Sequence, residues 1–294
     1  MKKLLYQFDT DALPSVFDNV VGYDGGADHI SAYGAVNAKN VGGLVEGAIF
    51  TRGVKDKKST AIFIGGGNMA EGEAMLAAVR KKFFGTFRVS VMFDCNGSNT
   101  TAAAAVAWLA RGRSLAGKRA VVLAGSGPVG QRAAFLLARE GADVGITGRK
   151  RDVVQAACDR VHARFGIVVH PIEAPTNAER GAAIEGAHIV LATGAAGITL
   201  LDEKQWRDSP TLELLADANA SPPAGIEGVG QSDRGTSKHG KTVFGSLGFG
   251  ALKLSLHRAC VSRLFEQNDL LLDAEEIYAI AKAMVGSTDR TKSP

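Results

Sequence analysis

The 294-residue sequence has only three cysteines, Cys95, Cys158 and Cys260, and they lie far apart. They form neither the closely spaced framework of a disulfide-stapled secreted domain nor a C-x-x-C metal pair. The six histidines show no ligand spacing either, so no metal centre is expected. No stretch approaches the ~18 consecutive apolar residues of a membrane span. Lys2 and Lys3 are followed too soon by Asp9 and Asp11 for a signal peptide. The net charge of +4 is small, which argues against a nucleic-acid surface. These absences predict a cytoplasmic, metal-free protein with neither nucleic acid nor membrane as partner.

Glycine is what the chain has in excess, 36 of 294 residues against a usual ~7%. It falls in clusters such as Gly65, Gly66 and Gly67, which reads as loops that approach ligands. The length exceeds the ~100–200 residues of one domain, so two domains are expected.

Residues 118–150 are the most informative stretch. A valine-rich run over 120–124 reads as a buried strand, and Gly125, Gly127 and Gly130 then make G-x-G-x-x-G. A helix over 129–139 follows, Gly141 closes it, and 142–147 is a second strand. In that context the glycines have separate tasks: tight turn, approach of a pyrophosphate, and helix–strand contact. Ser126, Pro128 and Val129 complete the turn, and phosphates would sit on the N–H groups of the helix start. An NAD site usually places an acid at the end of the second strand, whereas a cation there accommodates a 2′-phosphate. Here Gly148 leads into Arg149, Lys150 and Arg151. This predicts NADP; the alternative is a solvated basic loop.

Strands over 2–8, 29–33, 60–64 and 88–93 alternate with helices over 15–21, 41–50, 69–84 and 99–110. After the nucleotide motif come a helix over 153–164, a strand over 167–170, a helix over 178–184, and strands over 188–192 and 212–216. A polar loop over 224–241 and helices over 251–266 and 274–284 follow. Such alternation implies α/β architecture with parallel open sheets. The expected division is a domain over 1–113, a Rossmann-type doubly wound domain over 114–250, helices over 251–285 that pack back on the first domain, and a flexible tail over 286–294.

Ligands of open parallel sheets bind at the carboxyl ends of strands. Three such ends are polar or small: Asn96, Ser98, Asn99, Thr100 and Thr101 after the fourth strand; Thr193, Gly194 and Ala195; and Asp217 with Asn219. The first set reads equally as a helix cap; the other two would reach the nicotinamide end. Lys253, expected in the first turn of a helix where it opposes the dipole, is a further ligand candidate, with His257 on its face. Tyr278 and Lys282 give Y-x-x-x-K, but in an amphipathic helix near the chain end, where a core role fits better.

Several long strings, QFDTDALPSVFD from Gln7, VGYDGGADHI from Val21, FDCNGSNTTAAA from Phe93, VVLAGSGPVG from Val121 and LKLSLHRAC from Leu252, resemble the NADP-dependent methylene-tetrahydromethanopterin dehydrogenases of methylotrophic bacteria. The resemblance covers nearly the whole chain. It implies two α/β domains with a cleft between them, a homotrimer, and hydride transfer from a methylene-tetrahydromethanopterin, or for some members methylene-tetrahydrofolate, to NADP. It further implies a pterin in the first domain, with Thr101 and Lys253 as positioning residues in catalysis and Asp9, Asp11 and Asp18 as pterin contacts that read equally as caps or turns. No tyrosine of the first domain has a lysine four residues on, so no cyclohydrolase activity is implied. Two other readings stay open: another two-domain NADP dehydrogenase of the shikimate or glutamyl-tRNA reductase type, and a non-enzymatic NADPH sensor.

Overall fold

The computed structural model describes residues 1–290, the side chains of 287–290 excepted. In chain order its elements are β1 (Leu4–Asp9), α1 (Val16–Asp24), β2 (His29–Tyr33), α2 (Val41–Phe50), β3 (Thr60–Gly65), α3 (Met69–Lys81), β4 (Ser90–Phe93) and α4 (Ser98–Ala110). They continue with β5 (Arg119–Leu123), α5 (Pro128–Arg139), β6 (Asp143–Gly148), α6 (Arg151–Phe165), β7 (His170–Glu173), α7 (Asn177–Ala183), β8 (Ile189–Ala192) and β9 (Leu214–Asp217). The last are β10 (Arg234–Lys238), β11 (Lys241–Phe244), α8 (Ser246–Arg263), β12 (Leu271–Leu272) and α9 (Ala274–Arg290).

The chain forms two compact units, one of residues 1–100 and 254–280, the other of 101–253 and 281–294. The division falls inside α4, α8 and α9.

The first unit carries a parallel sheet in the order β12-β4-β3-β1-β2. Its central strands are buried along their length, as β-branched runs between two helical layers must be: every residue of β3 and β4 is buried. Phe8, Ile62, Ile64, Met75 and Phe93 form the centre of its core. Asp9 pairs with Gly65 and Ile64 with Phe93, so the loops after β1, β3 and β4 leave from one edge.

The second unit carries seven strands in the order β10-β11-β9-β8-β5-β6-β7. Its parallel part has the 3-2-1-4-5-6 order of a doubly wound dinucleotide fold, which reverses between β5 and β8. Leu123 pairs with Ala192 and Ala192 with Asp217, so these strands also end level. Trp206 is fully buried in this core, and its indole N–H donates to the Glu227 carbonyl at 2.9 Å.

The structure departs from the sequence expectations at its edges. The expected loop over 224–241 contains β10, whose side chains are almost all exposed. An antiparallel ladder to β11 with a bulge between Arg234 and Thr236 holds it, so no hydrophobic alternation marks it. β7 lies three residues later than expected because pairing of Gly145 with His170 sets its register; Pro171 is tolerated there because the strand is an edge. α8 begins at Ser246, five residues before the expected start at 251. Its glycines serve close packing: a Cβ on Gly248 would come within 1.8 Å of the Asp233 carbonyl oxygen. α9 continues to Arg290 through most of the stretch expected as a flexible tail; residues 291–294 lie outside the described residues.

All three cysteines are free and buried. Burial, with a smaller contribution from Asp159, pushes the Cys158 thiol up to about 11, and burial pushes Cys260 further in the same direction. Only a thiolate attacks a disulfide reagent. The native protein is therefore expected to show no fast-reacting thiol at pH 8, and three after unfolding in guanidinium. One fast native thiol would mean that a core cysteine is reachable.

Candidate active site

The nucleotide turn is suspended from the neighbouring strand. Ala124, at φ +50°, donates its N–H to Thr147 Oγ1 at 3.0 Å, and Gly125 donates to the Thr147 carbonyl at 3.0 Å. A Cβ on Gly125 would lie 2.8 Å from Val122 Cγ1, and one on Gly130 would lie 2.4 Å from the Gly125 Cα. These two positions close the turn on itself. A Cβ on Gly127 would meet nothing within 4 Å, so the turn leaves open space at the start of α5. Pro128 opens that helix, no side chain caps it, and Ser126 and Val129 are half-buried around it. The positive end of the dipole is thus left for an anion, and these residues fit a pyrophosphate.

Gly148 presses β6 against α6, where a Cβ would come within 2.3 Å of Val154 Cγ2. Of the three cations that follow, Arg149, Lys150 and Arg151, the last donates to the Pro171 carbonyl at 2.9 Å. All three side chains are exposed.

The other strand ends of this unit are self-engaged. Thr193 donates its N–H and its hydroxyl to the Leu123 carbonyl at 3.0 and 3.2 Å. Gly194 abuts Leu200, and Ala195 is exposed. Asp217 was expected to reach the nicotinamide, yet its carboxylate accepts from the Asn219 and Ile226 N–H groups, both at 3.0 Å. Burial pushes its carboxyl above the ordinary range against the pull of those backbone donors. Asn219 likewise accepts from the Ser221 N–H and donates to the Pro223 carbonyl, each at 3.0 Å. Both side chains bracket the loop over 218–226.

In the first unit three loops lace together. Asp9, fully buried, accepts from the N–H groups of Asp11 at 2.9 Å and Ser15 at 3.0 Å. Asp11 accepts from the Gly67 N–H at 2.9 Å, and Thr10 Oγ1 from the Asn68 N–H at 3.3 Å. Asp18, half-buried in the first turn of α1, turns its carboxylate toward Gly65, where a Cβ would lie 3.4 Å from Oδ2. The segment after β4 joins through the Asn96 N–H, which donates to the Gly66 carbonyl at 2.8 Å.

That segment separates into buried and exposed members. Ser98, Asn99 and Thr100 are fully buried. Ser98 donates to the Cys95 carbonyl at 2.7 Å, Asn99 to the Phe93 carbonyl at 2.6 Å, and Thr100 to Asp94 Oδ2 at 2.6 Å. All three side chains are thus bonded to the segment that carries them. Asn96 is exposed and Thr101 half-buried. The glycine loop was expected to approach a ligand, whereas Thr10 and Asp94 were given no site role from sequence. The signal for Asp94 was its place at the head of the run of cap-forming residues.

Lys253 is half-buried two turns into α8. The argument from an opposed dipole therefore fails, although the residue stays a candidate. His257 is a core residue with its ring stacked on Phe63 at 5.4 Å. Tyr278 is buried, and Lys282 pairs with Glu140 at 2.8 Å, as expected of helix residues rather than of a tyrosine–lysine couple.

Residues 16–96 match the model of the methylene-tetrahydromethanopterin dehydrogenase N-terminal family. Over 285 residues the chain is 58% identical to the bifunctional protein MdtA of Methylorubrum extorquens AM1, covering 96% of this chain and 99% of that protein. It is 34% identical to the NAD(P)-dependent methylenetetrahydromethanopterin dehydrogenase of the same organism, over 92% of this chain and 95% of the relative. Among solved structures, quinate dehydrogenase from Corynebacterium glutamicum with NAD superposes at a TM-score of 0.55 and 12% identity, covering 97% and 99% of the two chains. That likeness is one of fold.

The glycines give a paired test. Gly127→Ala is compatible with its extended backbone and open surroundings, so stability should change by less than about 0.5 kcal/mol, while NADP affinity falls by roughly tenfold, about 1.4 kcal/mol. Gly130→Ala forces a methyl into backbone and should cost about 1–3 kcal/mol of stability. Thermal melts and nucleotide titrations separate the two; equal behaviour of the variants would refute the assignment of open and closed positions.

Proposed function

Because the chain belongs to the methylene-tetrahydromethanopterin dehydrogenases, we propose that it oxidises the methylene bridge of methylene-tetrahydromethanopterin to the methenyl form, with NADP as hydride acceptor and methylene-tetrahydrofolate as a second carrier. The observation that carries the reading is the high identity to a relative across almost the entire chain. The open glycine turn at Gly127 and the exposed cations at the end of β6 support the cofactor half.

The carbon that loses hydride lies between two nitrogens, whose lone pairs stabilise the cation left behind. No proton has to move at that carbon, so the main demand is to hold donor and acceptor at ~3–3.5 Å. NADP supplies the hydride acceptor. Gly125, Ser126, Gly127, Pro128, Val129 and Gly130 hold its pyrophosphate, and Arg149 and Lys150 bind the 2′-phosphate. Thr101 and Lys253 orient the pterin with Asn96, and Asp18 faces the same loop edge of the first unit. The working protein is a cytoplasmic homotrimer.

The deciding experiment is a spectrophotometric assay with methylene-tetrahydromethanopterin and, separately, methylene-tetrahydrofolate, each with NADP and NAD. Reduction of NADP with either carrier is expected, and the ratio of rates names the preferred one. Binding of NADPH without turnover on either would replace the dehydrogenase reading with a sensor. Lys253→Ala should lower turnover strongly with NADP affinity intact; turnover like the wild type would remove Lys253 from the site. Arg149→Ala should weaken NADP by about 10- to 100-fold, the ~1.5–3 kcal/mol of a hydrogen bond to a charged group, and NAD far less. Equal losses would refute the 2′-phosphate contact.

A further inference from the structure

We propose that Asp94 is a positioning residue for the reduced pterin, acting through the loop that presents Asn96 and Thr101. The inference rests on the pterin reading of this loop given above. Asp94 is 1% exposed at the carboxyl end of β4. Its Oδ1 accepts from the N–H groups of Asn99 at 2.8 Å and Thr100 at 3.1 Å, and its Oδ2 from the Thr100 hydroxyl at 2.6 Å. An ordinary capping side chain stands immediately before its helix. This one stands immediately before a single 3-10 turn, Cys95–Gly97, makes no side-chain cap to it, and reaches across it to α4, which begins at Ser98.

What it spans is informative. Asn96 and Gly97 both have left-handed backbones, at φ +59° and +57°. Asparagine is the side-chain-bearing residue that enters this region most readily, and here hydrogen bonds on both sides hold it there. Asn96 is held on one side by the carbonyls of Gly66 at 2.8 Å and Gly67 at 3.4 Å. On the other side the Gly97 N–H donates to the Asp94 carbonyl at 2.9 Å, and the Asp94 carboxylate clasps the start of α4. The Asn99 side chain adds a tie to Asp273 at 3.0 Å. The result is a rigid buried clasp with one exposed polar side chain at its crest, Asn96, and one half-buried just past its last bond, Thr101. A cap that served the helix alone would need neither the inverted turn nor the brace to the glycine loop.

Thr100→Val removes the 2.6 Å bond without changing the volume of the side chain, and Thr100→Ser keeps the hydroxyl. For each variant we would measure the melting temperature, NADP affinity, KM and kcat for methylene-tetrahydromethanopterin, and binding of tetrahydromethanopterin, which carries no bridge to oxidise, by fluorescence quenching. Thr100→Val is expected to weaken both pterin constants by about tenfold, the effect of losing one charge-assisted hydrogen bond, with NADP affinity unchanged. Thr100→Ser should restore them. Asp94→Asn, where it folds, should show the same split more strongly. Pterin constants like the wild type in Thr100→Val, or pterin and NADP affinities that fall together with the melting temperature, would overturn the proposal. Failure of the unmodified protein to bind either pterin would instead refute the pterin reading itself, before any variant is made.

Discussion

Three buried aspartates at the carboxyl ends of parallel strands hold the loops on which both candidate ligand sites depend. Asp9, Asp94 and Asp217 are each at most 2% exposed, and each accepts two backbone N–H groups from the chain that follows its strand, those of Asp94 coming from the first turn of α4. A parallel sheet brings every strand to the same edge and then releases the chain into a segment with no ladder to join. Its backbone donors have to find acceptors or water. A buried carboxylate is a costly acceptor unless its oxygens are bonded, but bonds to it are shorter and stronger than neutral ones. Once that balance is met, the loop is fixed to the strand end and not merely attached to it.

This same device explains where the sequence was misleading. An aspartate or a run of Ser, Asn and Thr at a strand end has one appearance for two roles, ligand contact and loop bracket. Asp217, Asn219, Ser98, Asn99 and Thr100 could be read either way, and only distances to backbone groups separate the roles. The glycine motif was legible because its meaning is steric and local: Gly125 and Gly130 have no room for a Cβ, and Gly127 does. Most helices and buried strands were legible for a similar reason, since hydrophobic period is written within each element. β10 and β12 were not, because one has hardly any buried side chain and the other only two residues. Their existence is decided by backbone partners distant in sequence.

Glycine carries a second lesson. The helix expected from residue 251 begins instead at Ser246 and takes in Gly248 and Gly250. The low helix propensity of Gly248, about 1 kcal/mol, was outweighed by packing that only glycine allows: a Cβ there would lie 1.8 Å from the Asp233 carbonyl oxygen. Close approach of backbone to backbone thus overrode local preference, and it moved Lys253 from the first turn of α8 to a place two turns in. The family resemblance had pointed to the residue; the helix boundary altered the electrostatic reason for noticing it.

The engagement of the strand-end carboxylates also bears on chemistry. A general acid or base needs a lone pair or proton available to substrate and a pKa suited to the exchange. Asp9 and Asp217 direct their oxygens to backbone donors, and Asp94 directs its own to two backbone donors and the Thr100 hydroxyl. Hydride loss from a carbon between two nitrogens asks for neither. It asks that a flat donor and a flat acceptor be held still, and stillness at a loop edge is what a buried, fully bonded carboxylate confers. The side chains nearest to such a task are Asn96 and Thr101 on one sheet edge, which are neutral hydrogen-bonding groups, and the exposed basic side chains Arg149 and Lys150 on another. The physical economy of the fold therefore favours a positioning enzyme over an acid–base one.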